Sequence, residues 1–128
     1  MFKFRATTLA VSLALIAAAL AVAPIASAKG GPGVRVGGVC TKSSTAKLKL
    51  SHEDGGIEVE FEVDQNRNGV PWKITLRRNG AIVAATTATT RAPSGSFSIR
   101  RVISGPGGRV AAVATRTSGE RCTAVAGI

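Results

Sequence analysis

The chain has 128 residues and a formal net charge of +10, from 17 Lys and Arg against seven Asp and Glu. Its length, once a leader is set aside, predicts one small domain. Two widely spaced cysteines and a single histidine leave no cysteine–histidine metal site and no CxxC redox pair.

Residues 1–28 read as a helical secretory signal peptide. Lys3 and Arg5 open it, an almost unbroken apolar run fills residues 9–23, and Pro24 ends that run. Ala26, Ser27 and Ala28 are the small residues a signal peptidase needs. The run is short for a membrane span of about 20 residues. Cleavage after Ala28 is therefore expected, giving a secreted, extracellular chain with no transmembrane segment. Removing Lys3 and Arg5 takes the charge from +10 to +8.

The remaining 29–128 are rich in Val, Thr, Ala and Gly and keep three aromatics, Phe61, Trp72 and Phe97. So thin a core calls for a staple. In an oxidising compartment Cys40 and Cys122 are expected to form one disulfide. It would close nearly the whole domain, worth roughly 4–5 kcal/mol in the chain-entropy model.

Residues 29–43 form a Gly-rich arm that reads as flexible. Beyond it, apolar residues alternate with polar ones. Ala46, Leu48 and Leu50 alternate with Lys47 and Lys49. Ile57, Val59, Phe61 and Val63 alternate with Glu58, Glu60, Glu62 and Asp64. After a loop over residues 64–69, Trp72, Ile74 and Leu76 alternate with Lys73, Thr75 and Arg77. A period of two sorts side chains onto the two faces of a strand, which a helix of period 3.6 cannot do. Asn79-Gly80 signals a hairpin turn. Residues 81–90 are small and β-prone and suit an edge strand. Phe97 and Ile99 mark a further strand, and Gly105-Pro106-Gly107-Gly108 breaks the chain. Two last strands follow at 109–117 and 121–126, the first with both faces small and largely apolar. Seven short strands at near-regular spacing predict an all-β sandwich occupying 44–128.

Trp72 on the third strand, the stretch Gly95-Ser96-Phe97-Ser98 opening the fifth, Val110-Ala111-Ala112-Val113-Ala114 and then Gly119 resemble the order of a bacterial immunoglobulin-like or fibronectin-III-like domain. The resemblance covers roughly residues 44–127 and rests on core and turn positions. The chain is also similar to small exported proteins of actinobacteria. The resemblance implies an immunoglobulin-like β-sandwich of about seven strands, in which the acidic second strand pairs with the first and fifth. It departs from the pattern in lacking tyrosine after residue 28, and in placing its cysteines near the first and last strands.

No catalytic constellation emerges. Glu58, Glu60 and Glu62 share a face, as a pair of glycosidase carboxylates would. Yet Lys47, Lys49 and Arg100 on neighbouring strands suffice to explain them as cross-strand charge pairs. His52, beside Glu53 and Asp54, lies in a turn with no nucleophile in a recognisable context. The loop Asp64-Gln65-Asn66-Arg67-Asn68-Gly69 fits the first half of a calcium loop, with Asp64, Asn66 and Asn68 as weak candidate ligands. Thr75 stands where the bidentate Glu belongs and Arg67 adds a positive charge, so an Asn- and Gly-rich turn is the plainer reading.

The basic residues remain. Residues 29–66 hold five basic and six acidic side chains, whereas 67–128 hold ten basic ones and only Glu120 as an acid. If the loop at 64–69 carries the chain from one sheet to the other, Lys73, Arg77 and Arg121 stand uncompensated on one face, with Arg78 and Arg116 near its ends. These five are the candidate anion-binding residues. The expected function is a non-enzymatic, monomeric binding or structural module for anionic envelope polymers or glycans, without cofactor. Nucleic acid is not expected, since stacking aromatics are few and no helix is predicted to enter a groove. The alternatives are a carrier of a small hydrophobic ligand, using room left by the small residues of 81–90 and 109–117, and an exported enzyme inhibitor presenting the loop 104–109.

Overall fold

The computed structural model describes residues 33–128; the signal-peptide reading falls on residues outside these. The described chain is all-β, with strands β1 (Val34–Gly37), β2 (Val39–Cys40), β3 (Thr45–Glu53), β4 (Gly56–Asp64), β5 (Pro71–Arg78), β6 (Ala81–Thr89), β7 (Ser96–Ser104), β8 (Arg109–Thr115) and β9 (Arg121–Gly127). They form two antiparallel sheets packed as a sandwich. One, here sheet A, has the order β1-β3-β4-β7; the other, sheet B, has the order β2-β9-β8-β5-β6.

The acidic strand β4 pairs with β3 and β7, and β5 lies in the opposite sheet. The crossing between them is tied down at several points. Asp64 Oδ1 accepts the Asn66 N–H at 3.0 Å, an Asx turn that puts Asn66 in the left-handed region at φ 57°. Gln65 N–H donates to the Gly95 carbonyl, and Gln65 Oε1 accepts the Trp72 indole N–H at 3.0 Å. Gly95 itself, at φ 67°, packs so closely on the backbone of Arg67 that a Cβ there would overlap it.

The core lies between the sheets. Leu48, Leu50, Ile57, Val59, Phe61 and Val63 of sheet A meet Trp72, Ile74, Leu76, Val110, Ala112 and Ala114 of sheet B, all buried. This settles the inward face of β8: its small residues Ala112 and Ala114 sit in the core, where they make room for larger side chains from across the sandwich. Phe97 bridges the remaining aromatics, with ring centroids 6.0 Å from Trp72 and 6.4 Å from Phe61.

Nine strands replace the seven expected because the arm is not a loose tail. Its β1 pairs with β3, and its β2 pairs with β9. The chain changes sheet at Gly38, whose missing side chain leaves space for Ala46 and Ala124. Pairing of this kind uses backbone groups, which Gly-rich sequence supplies without a periodic signature. The Cys40–Cys122 disulfide joins β2 to β9 at a register pair, across 82 residues.

Replacing both cysteines by serine is expected to lower the unfolding free energy by about 2–5 kcal/mol, the range for a native disulfide in a small domain, measured by urea titration with intrinsic tryptophan fluorescence.

Candidate anion-binding face

The two outer faces carry charge differently. On sheet A, Arg35, Lys49, Glu60 and Arg100 lie in one row across β1, β3, β4 and β7. In the next row Lys47 faces Glu62. Arg100 also forms an ion pair with Glu58 at 2.6 Å, and that hydrogen bond holds the Glu58 carboxyl below the ordinary carboxylate range. Acids and bases interleave, so this face offers no expanse of one sign.

Sheet B has no such matching. Its strands present Arg121, Thr115, Lys73 and Thr87 in one row across β9, β8, β5 and β6. The adjacent row runs Val39, Thr123, Val113, Thr75 and Ala85, and the third runs Val125, Ala111, Arg77 and Ile82. Arg109 lies at the far end of β8, also exposed. From strand geometry, Lys73 and Arg121 are about 10 Å apart across the sheet, and Lys73 and Arg77 about 13 Å apart along it. Between them Lys73, Thr75, Arg77, Val113, Thr115 and Arg121 line a shallow depression of about 250 Å³. Hydroxyls thus stand among cations. No carboxylate shares the face, because Glu120, the one acid after residue 66, is buried.

Three of the five candidate residues make hydrogen bonds within the fold; Arg77 reaches the Gly80 carbonyl at 3.2 Å while staying exposed, and the other two are bound more deeply. Arg78 donates to the carbonyl oxygens of Ser104 and Gly107 and so braces the Gly-rich loop between β7 and β8. Gly105, at φ 112°, leaves the space its guanidinium fills. Arg116 donates from Nε to Glu120 Oε1 at 3.0 Å and stacks over Trp72, 5.7 Å from the ring centroid. Glu120 is fully buried and also accepts from the Ser44 backbone N–H at 3.1 Å and the Ser44 hydroxyl at 2.9 Å. The group ties the segment before β3 to the β8–β9 turn. Lys73, Arg77 and Arg121 remain exposed, and Arg109 joins them. The signal for Glu120 was its isolation: a lone acid in a basic half, four residues from an arginine.

The weak calcium candidates are spread along the crossing loop. Asp64 is half-buried and engaged with the Asn66 backbone, while Asn66 and Asn68 are exposed. Among the described residues no group of three or more His, Cys, Asp or Glu side chains is placed to hold a metal ion. His52 is exposed at the end of β3. The chain matches no family model, no curated protein and no solved structure.

Burial of the Glu120 carboxyl raises its proton affinity, but the hydrogen bonds from Ser44 and Arg116 outweigh this and leave it below the ordinary value of 4.5. A carboxylate whose folded pKa is depressed stabilises the fold above its unfolded pKa, and that stability is lost as pH falls through the folded value. The stability gap between native chain and Glu120→Gln is therefore expected to be widest above pH 4.5 and to narrow on acidification, followed by thermal melts across pH. Arg78→Ala should cost about 1–3 kcal/mol by removing the charge-assisted hydrogen bonds that brace the loop. Lys73→Ala and Arg121→Ala should each stay within about 0.5 kcal/mol in the same melts.

Proposed function

We propose that the protein is an exported, non-enzymatic β-sandwich that binds anionic polymers of the cell envelope or its surroundings through the outer face of sheet B. One observation carries the reading: Lys73, Arg77, Arg109 and Arg121 share a face that has no exposed acid, while the cations of sheet A interleave with glutamates. An electropositive face of this kind attracts polyanions over roughly a Debye length, about 8 Å at physiological salt. Thr75, Thr115 and Thr123 add hydroxyl donors suited to phosphate, sulfate or carboxylate oxygens. The strand order, with β4 between β3 and β7 and β5 in the other sheet, supports the immunoglobulin-like or fibronectin-III-like resemblance.

The test is retention on immobilised sulfated polysaccharide and on polyphosphate at rising salt. The native chain should elute late, with retention falling steeply as salt rises. The triple variant Lys73→Gln, Arg77→Gln, Arg121→Gln should lose most of that retention, and the sheet A variant Arg35→Gln, Lys47→Gln, Lys49→Gln, with the same loss of charge, should keep it. Equal behaviour of the two variants would mean that net charge, not this face, governs binding.

A further inference from the structure

Sheets end in edges, and this protein treats its edges unequally. Sheet A ends at β1, four residues long, and at β7. On β7, Arg101 stands opposite Val59, whose side chain is buried, so a charge occupies an inward position of the edge strand. Short strands and inward charges both discourage edge-to-edge pairing. One end of sheet B is β2, only two residues long. The other end is β6, AIVAATTAT, with nine residues. Every other strand of seven residues or more carries a charged side chain; β6 carries none, and no proline.

Among the described residues no strand pairs with the outer edge of β6. The Thr90 N–H points to Val70 on the β5 side. Alternation along an antiparallel strand then turns the N–H and C=O of Ala88 and Thr86 toward β5, and those of Thr89, Thr87 and Ala85 outward. The register shift opposite Leu76 and Arg77 disrupts the strand near Ile82 and Val83, but residues 85–89 run in regular register with Thr75 to Pro71. A regular five-residue segment with three outward N–H and C=O pairs is left without a strand partner; the edge is closed only beyond it, where the Arg91 N–H donates to the Ser96 carbonyl of β7.

We infer that this edge is the dimer interface of the protein, formed by antiparallel pairing of β6 with β6 of a second copy about an axis through Thr87. Charge selects the occupant. Two copies of so basic a chain repel each other where cations face cations, and β6 is an uncharged seam. Pairing about Thr87 sets Ala85 opposite Thr89 of the second copy and Thr87 opposite its equivalent. All three outward N–H groups and all three carbonyls of each copy are then bonded. It is an isologous contact, closed by a two-fold axis, so it stops at two copies. The nearest cations on the face are the two copies of Lys73, each one strand in from the seam. Three strand spacings part them, about 14 Å, which is beyond the screening length of about 8 Å.

The same axis joins the two basic faces. The row Arg121, Thr115, Lys73, Thr87 continues into its own mirror order across the seam, placing four cations in a line about 34 Å long, seven strand spacings from end to end. The dimer does not depend on what that face binds.

The experiment uses the protein as purified from cells expressing the full chain, with sedimentation velocity at tens of micromolar and cysteine cross-linking. The native chain should sediment as a dimer. Thr87→Pro removes an outward N–H that the β5 ladder does not use, a substitution edge strands tolerate, and should sediment as a monomer. Ala85→Lys serves the same purpose if Thr87→Pro does not fold. Thr87→Cys should form a disulfide-linked dimer under mild oxidation, since paired residues of this type lie about 5.5 Å apart at Cα, within disulfide range. Ala85→Cys should stay unlinked, because its equivalent in the second copy is about 14 Å away. A monomeric native chain, dimers that survive both edge substitutions, or equal cross-linking at 85 and 87 would overturn the inference.

Discussion

Everything that distinguishes the two faces depends on one passage of chain, the crossing from β4 to β5. Had these strands paired as a hairpin, the glutamates of β4 would stand opposite Lys73 and Arg77, and both signs would cancel on one sheet. Several contacts favour the crossing instead. Asp64 closes a turn on Asn66, the Gln65 backbone N–H donates to the Gly95 carbonyl, and the Gln65 side-chain Oε1 accepts from the Trp72 indole. Thr90 bonds Val70 and the Arg67 carbonyl from the far side. Trp72 is thereby buried with its polar atom satisfied, which is what a large amphipathic ring in a small core requires. Core formation and charge separation are two results of the same turn.

What could be read in the sequence followed from periodicity. Alternation at 46–50, 57–63 and 72–76 has a single geometric solution; the pairing of β4 with β3 and β7 is implied by the immunoglobulin-like resemblance, and the charges agree with it, Lys49 and Arg100 lying on either side of Glu60. Where side chains carry no pattern, legibility fails. The strands β1 and β2 are Gly- and Val-rich and are defined by backbone pairing, so the arm reads as loose. Arg78 reads as a free surface cation because its partners are carbonyl oxygens 26 and 29 residues away, and a carbonyl has no letter in the sequence. Arg116 is the opposite case: its partner Glu120 lies four residues on, visible but easily taken as part of a turn. Of the candidate face, Lys73, Arg77 and Arg121 were legible because β5 and β9 alternate; the threonines between them gain meaning only once the register is known.

The position of the disulfide has a mechanical consequence. The arm enters along β1, shifts at Gly38 into β2, and is bonded at Cys40 to Cys122, five residues before the last residue of β9. Tension applied between the arm and the C-terminal end would run through β1, across the S–S bond and out along β9. Residues 41–121, which hold most of the core and much of the basic face, lie off that covalent path. A pull peels β1 from β3 and the end of β9 from β8, but further extension meets a covalent bond before it reaches β4 or β5. The staple that compensates for a thin core also makes the domain a link that can carry load while β4, β5 and β7 stay folded.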